Sequence, residues 1–440
     1  MLDILLLGAT GYTGRLITRY LAAHPQRGTF TFGIAARSEQ KFKTLRDELG
    51  DALLHVPTFV VDVANFDDIE RAVQQARVVI NAVGPYWRWG TSVVRACVRH
   101  GRHYVDLTGE APWVREVISE FDYVAAKAGS VIVPCAGLDS VPSDLLVYVA
   151  SKTLKSFAGP QTAIDTSTSA WKLSSSGISG GTFSSILSIL EDIPRHKARE
   201  ATHDFALSPI KGVPSPRPRT FYALSVDPPL RGVLYLMSVV NRQVVQRSWG
   251  LFELAGRSPE LVFPPGSFGP QDVSGLSYGP AFKYDEFMVL PSMLHAVFVV
   301  FFLATVALAM ATFPPARWLA RQLMPQSGEG PNDLDLETGS VHITNITTSA
   351  PAANGRTVTV RTTFKGKGDP GYLLSSVMIS EAALALVQDK NLLPPFGKRG
   401  GVLTPMTAFG DILIQRLNAC GRISIESEVV PVEGGRMKAL

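Results

Sequence analysis

The first 150 residues alternate between short apolar runs and longer stretches in which apolar side chains recur every three or four positions. Runs at 4–7, 29–38, 58–61, 78–82, 103–106 and 131–135 read as strands. Segments 39–49, 66–75, 90–100 and 113–126 read as helices, as does the stretch carrying Leu16, Ile17, Tyr20 and Leu21. Six strands interleaved with helices predict a doubly wound parallel sheet, which binds ligands outside the carboxyl ends of its strands. The polar clusters fall at such ends: Asp62, then 81–86, 106–110 and 137–142.

The pattern changes after residue 150. Residues 162–171 alternate like a strand, and the serine- and glycine-rich run after 174 turns into a helix near Gly181-Thr182, where the turn serves either an anion or the helix cap. Proline, glycine and aromatics between 208 and 280 predict long irregular connections. Strand-like alternation returns over 338–365, and 372–387 is helical. The expected organisation is α/β: a Rossmann-type domain over 1–150 and a second α+β domain, for substrate or dimerisation, built from 151–285 and 338–440. An apolar segment at 287–316 interrupts the second domain, and 326–337 is the linker back.

Between Glu286 and Arg317 the chain has no Asp, Glu, Lys or Arg, and His295 is the sole titratable side chain. Its core, 293–313, would extend about 31 Å as a helix, enough for the hydrocarbon core of a bilayer. Arg317, Trp318 and Arg321 form an interface-like flank. A buried helix of a large soluble core is the alternative. If the pieces on either side share one sheet, a single pass would separate them, so a re-entrant or monotopic insertion is expected.

Composition narrows the classes. The 440 residues carry 42 Lys and Arg against 38 Asp and Glu, a net charge of +4, with no dense basic run, so nucleic acid is not an expected partner. A mean hydropathy of +0.14 is high for a purely soluble enzyme. Cys97, Cys135 and Cys420 have neither disulfide nor zinc-ligand spacing, so no metal is expected and a reducing compartment fits. The first residues lack the basic region of a signal peptide.

The candidate chemistry is concentrated in the first turn. Gly8, Gly11 and Gly14 follow the first strand in G-x-x-G-x-x-G spacing and open a helix, the layout that places a pyrophosphate on helix N-terminal amides. Gly8 permits the turn, Gly11 lets the backbone approach phosphate, and Gly14 lets helix and strand pack closely. The second strand ends in Arg37 and Ser38, with Lys41 one turn on, where an NAD site would carry a carboxylate for the ribose hydroxyl. A guanidinium there favours a 2′-phosphate, hence NADP(H). Asp62 meets the adenine amino group or caps a helix. Residues 81–86, with Asn81, Val83, Gly84 and Pro85, should run along the nicotinamide half. Tyr86, Trp87 and Trp89 then wall the substrate, pack, or face a membrane.

The ordered set GATGYTG, AARS, NAVGPY, YVDLTGE, GLDSVPSD, SGGT, GDPGY and GGVLTPMTAFGDILIQRL resembles the saccharopine dehydrogenase-like oxidoreductases, the group that includes the mycobacterial trans-acting enoyl reductases. The resemblance covers 1–150 and 366–425. Carried over, Gly8, Thr10, Gly11, Tyr12, Thr13 and Gly14 match the phosphate loop, and Arg37 and Ser38 the 2′-phosphate end. It implies an NADP-dependent oxidoreductase acting in lipid or glycolipid metabolism. It also implies association with a membrane or lipid droplet (endoplasmic reticulum and plasma membrane being the other settings), with the cofactor domain facing the cytosol. The chain lacks a set of basic side chains for an amino-dicarboxylate substrate, so the expected reaction is NADPH-dependent reduction of a C=C or C=N bond in a lipophilic or carrier-bound substrate. The alternatives are a non-catalytic NADP(H)-binding, membrane-anchored interaction protein and a saccharopine-type amino-acid dehydrogenase. Proton donors within reach are Tyr86, Asp106, Glu110 and Asp139, with Tyr86 and Asp139 preferred. No Tyr-x-x-x-Lys follows the fourth strand, and homo-oligomerisation is left open.

Overall fold

In a computed structural model of the protein, the described residues are 1–431 apart from 139, 178, 225, 227, 264–274, 324 and 327. Strands β1 (Leu2–Leu7), β2 (Phe32–Ala36), β3 (Thr58–Val60), β4 (Ala76–Asn81), β5 (His103–Asp106) and β6 (Val131–Val133) are parallel neighbours in the order β6-β5-β4-β1-β2-β3. Leu5 pairs with Gly33 on one side and Val79 on the other, so strand order reverses between β1 and β4. The carboxyl ends of these two strands therefore flank the crevice where a dinucleotide binds.

The second sheet contains β7 (Ile164–Ser174), β8 (Phe221–Leu224), β9 (Leu230–Leu234), β10 (Lys283–Val289), β11 (Ser340–Ser349) and β12 (Thr359–Lys367). The chain then departs from the expected division. The two-residue strand β13 (Gly401–Val402) pairs in parallel with β6 as a seventh strand of the first sheet, before β14 (Ile423–Val429) closes the second. Buried Arg247 holds this crossing by donating to the carbonyls of Val402 and Leu207, while Asp122 accepts the Val402 N–H at 2.8 Å. The second sheet runs β14-β12-β11-β7-β10-β9-β8, antiparallel except for β7 with β10.

Two helices, Ser140–Ala158 and Ser375–Gln388, lie between the sheets and share one core with both. With the turn before it, the second forms an apolar stretch, Pro370–Gln388, long enough to cross a bilayer, yet most of it is buried in protein. Its Glu381 binds the first domain by accepting from Tyr20 at 2.5 Å and pairing with His24 at 2.9 Å, while Arg416, on the helix Asp411–Ala419, pairs with it at 3.1 Å.

Residues 208–280 are not the irregular connection their composition predicts. They contain β8, β9 and the helix Ser238–Arg257, most of it buried. Asn241, Arg242, Gln243, Gln246, Arg247, Ser248 and Glu253 are all buried on that helix. Polar groups on the inward side erase the amphipathic signal by which a helix is read from sequence.

The apolar segment forms the helix Met293–Thr312 followed by Pro314–Leu323, bent by 107°. Residues 287–289, placed within that segment by composition, instead complete β10. Among the helix residues whose side chains are described, Ala296 alone is buried; Leu294, Phe298, Phe301 and Leu308 are each more than 60% exposed. The flanking strands β10 and β11 both border β7, so the segment leaves and rejoins the same sheet.

Candidate functional site

The glycine turn follows the geometry its spacing predicts. Gly8 has φ +81°, and a Cβ there would lie 2.8 Å from Val83 Cγ2. A Cβ on Gly14 would lie 2.0 Å from the Gly8 carbonyl oxygen, a contact that only glycine permits. Gly11 is the N-cap of the helix Tyr12–Ala22, whose first amides open onto a groove of about 570 Å³. Gly8, Thr10, Gly11, Tyr12, Thr13, Arg37, Ser38, Asp62, Val83 and Gly84 line this groove, joined by Lys41 and Trp89.

Three residues expected at the cofactor do not line it. Gly14 lies behind the turn, against Gly8. Asn81 is fully buried; its side-chain Oδ1 accepts the Val83 N–H at 3.0 Å and its Nδ2 donates to Tyr104 Oη at 3.1 Å, which shapes the loop from beneath. Pro85 is the buried N-cap residue of the helix Tyr86–Arg99. Asp62 lines the groove while accepting the Ala64 N–H at 3.0 Å. The cap of the following helix is Asn65, so the capping alternative for Asp62 is not realised.

Arg37 and Lys41 put two exposed cations at the end of β2, beyond the adenosine side of the groove. The linker is less passive than its composition suggests. Tyr12 donates to the Pro331 carbonyl at 2.6 Å, Arg15 and Arg19 pair with Asp333 at 2.8 and 2.7 Å, and Gly328 lines the groove.

A second cavity, of about 390 Å³, continues from the first; Thr13, Ala82, Gly84, Ser179 and Gly181 line both. Its remaining wall comes from both domains and includes Tyr86, Leu107, Glu110, Cys135, Ile186, Ile189, Leu236, Met237, Val240 and Tyr372. Hydroxyls and aliphatic groups dominate. No Lys, Arg or His lines it among the described residues, and Glu110 is its sole acid. Both Glu110 oxygens accept main-chain N–H groups, from Tyr86 at 2.9 Å and Trp87 at 2.8 Å, at the start of a helix. Burial raises its pKa against those hydrogen bonds.

The expected donors are placed unequally. Tyr86 reaches the cavity, but its hydroxyl donates to the Asn81 carbonyl at 3.0 Å and accepts the Leu107 N–H at 3.3 Å. Its proton is thus directed at the main chain, which argues against the catalytic role expected of it. Asp139 lies outside the described residues. Asp106 lines neither cavity; it accepts from Tyr104 Oη and from the amides of Thr108 and Cys135, bracing the loops after β5 and β6. Trp89 reaches the cofactor groove, whereas Trp87 packs under Lys197 at 5.5 Å. The turn at Gly181-Thr182 caps its helix, Ser179 accepting the Thr182 N–H at 3.4 Å, and Gly181 also lines the cofactor groove.

Burial lifts three carboxyls, Asp106, Asp144 and Glu286, to about 7. Each holds a proton in the folded protein at pH values where the unfolded chain, near 3.8 for Asp and 4.5 for Glu, has lost it. Their contribution is therefore complete below the unfolded values and disappears as pH rises toward the folded ones. Urea denaturation between about pH 5 and 7 should show stability falling with pH, by at most about 1.4 kcal/mol per pH unit for each group. Glu286→Gln should remove its share of that slope.

Residues 4–133 match the family model described as the saccharopine dehydrogenase NADP binding domain. A Mycobacterium tuberculosis protein, provisionally named a trans-acting enoyl reductase, is 32% identical over 436 residues, covering 95% of this chain and 96% of its own. The chain belongs to the saccharopine dehydrogenase-like oxidoreductases. A Mycobacterium bovis relative in the same group, named trans-acting enoyl reductase, is 30% identical over 437 residues, with the same coverage of both chains. The apo structure of saccharopine dehydrogenase (L-Glu forming) from Saccharomyces cerevisiae superposes with a TM-score of 0.53 at 13% identity, covering 98% of this chain and 100% of that one, a likeness of fold. This saccharopine dehydrogenase-like protein is an NADP-binding oxidoreductase, and the groove at Gly8–Thr13 and Arg37 fits that cofactor: amides for the pyrophosphate, cations for the 2′-phosphate.

Proposed function

We propose that the protein reduces the C=C bond of a lipophilic or carrier-bound enoyl substrate with NADPH, working at the surface of a membrane or lipid droplet. The observation that carries this reading is the second cavity. It adjoins the Thr13–Gly84 end of the cofactor groove and offers hydroxyls and aliphatic side chains but no cation. An amino-dicarboxylate of the saccharopine type would bury its carboxylates there without a cationic partner, at a cost of several kcal/mol. An acyl chain would not. The relatives named trans-acting enoyl reductase support the same choice.

NADPH supplies the hydride when bound. The chain orients the nicotinamide end through Thr13, Ala82 and Gly84, and encloses the substrate between Leu107, Ile189, Met237 and Val240. The exposed helix Met293–Thr312 supports a surface location, because its apolar side chains lack protein cover. Return of the chain to the same sheet favours insertion from one side over a single pass. We place the cofactor domain on the cytosolic side, at a lipid droplet, the endoplasmic reticulum or the plasma membrane.

The test is NADPH oxidation at 340 nm by detergent-solubilised protein with enoyl thioesters of increasing chain length, unsaturated ketones, imines, and saccharopine-type amino acids. Turnover confined to enoyl substrates is expected. Turnover of the amino acids alone would overturn the reading, and tight NADPH binding with no turnover at all would favour a non-catalytic protein.

A further inference from the structure

Reduction of an enoyl group needs a proton as well as a hydride, and two phenols line the substrate cavity, Tyr86 and Tyr372. The hydrogen bonds of Tyr86 are taken by the main chain. Tyr372 is different. Its oxygen accepts the Ser179 N–H at 2.5 Å, and its hydroxyl lies 3.1 Å from the Thr182 hydroxyl. Ser179 lines both the cofactor groove and the cavity, so this phenol is one hydrogen bond from the seam between them.

The position of Tyr372 is firmly set. Its ring meets Tyr12 edge-on at 5.0 Å between centroids, and its own N–H donates to Asp369 at 2.9 Å in the GDPGY turn. Asp369 in turn accepts from the Ser176 N–H at 2.7 Å, which ties this turn to the segment carrying Ser179. Thr182 is exposed, so the hydroxyl pair leads from the cavity wall toward water. Glu110, the acid in the wall, has both oxygens engaged by amides.

We propose that Tyr372 donates a hydrogen bond to the carbonyl of the unsaturated substrate and supplies the proton of the reduction, with Thr182 as its relay. The inference rests on the enoyl-reductase reading. As hydride adds to the β-carbon, the C=C electron pair moves to the carbonyl oxygen, the phenol O–H bond breaks, and its proton passes to that oxygen. Tautomerisation of the enol then moves a proton to the α-carbon, giving the saturated carbonyl compound. The Thr182 hydroxyl returns a proton to the phenolate and takes one from water.

Tyr372→Phe keeps the ring against Tyr12 and removes the proton. With 2-decenoyl-N-acetylcysteamine as substrate, its kcat should fall about 100-fold or more while KM changes less than about threefold. NADPH affinity, measured by calorimetry, should be unchanged. Thr182→Val should give an intermediate loss and Thr182→Ser near-full activity. A second readout needs no turnover: the thioester carbonyl band of decanoyl-N-acetylcysteamine, bound with NADP⁺, should sit at lower wavenumber in the unmodified protein than in Tyr372→Phe. Wild-type turnover with an equally fast Tyr372→Phe, or identical carbonyl bands, overturns the role of Tyr372 alone. NADPH binding with neither turnover nor thioester binding in the unmodified protein overturns the reductase reading and this inference with it.

Discussion

Arg37→Asp is expected to weaken NADPH binding about 100-fold or more, through loss of a charge-assisted contact and gain of a like-charge repulsion. NADH, which lacks the 2′-phosphate, should bind within a few-fold of its affinity for the unmodified protein. The ratio of the two dissociation constants, measured by calorimetry at low and moderate salt, is the test. Salt should narrow the wild-type preference, because Arg37 and Lys41 are exposed. An unaltered ratio would show that the 2′-phosphate is held elsewhere. The substitution should not alter the fold, since Arg37 projects from the end of β2 and every residue of that strand is buried without it.

The second large effect concerns the exposed helix. Joint substitution of Phe298, Phe301, Phe302 and Leu308 by serine should lower the affinity for phosphatidylcholine vesicles more than about a thousandfold, because each large apolar side chain contributes about 1.5–3 kcal/mol when fully buried. In a flotation assay the unmodified protein should rise with the vesicles and the variant should stay in the load. Cofactor binding should survive, because these side chains are exposed and line neither cavity. Equal flotation of the two proteins would sink membrane docking by this helix. Failure of the unmodified protein to float would do the same.

The first domain was legible in the sequence because its signals are local. A buried parallel strand reads as an apolar run, Gly8 is demanded by its positive φ, and Gly11 and Gly14 by close approach to Gly8 within the same turn. The motifs SGGT and GDPGY were visible too, but not their joint meaning. Nothing local says that Tyr372 meets Ser179 and Thr182, which lie about 190 residues away along the chain. The buried helix Ser238–Arg257 was hidden for a related reason. Its inward polar groups are satisfied by distant partners, Arg247 by Leu207 and Val402 and Asn241 by Glu286, so its pattern lacks an apolar stripe.

Tyr86 shows the limit from the other side. Residue type and strand-end position made it a candidate donor, and only the packed loop reveals that its hydroxyl is engaged by Asn81 and Leu107. Local order along the chain determined the parallel sheet, the nucleotide turn, the cationic end of β2 and the apolar segment, because each depends on neighbours a few residues apart. Tertiary structure alone decided that Gly401–Val402 return to the first sheet, that a cavity with no cation among its described lining residues adjoins the cofactor groove, and that Tyr86 and Tyr372 both reach it. Those properties arise where segments far apart in sequence meet, and there burial and hydrogen-bond satisfaction, rather than residue type, set what a side chain can do.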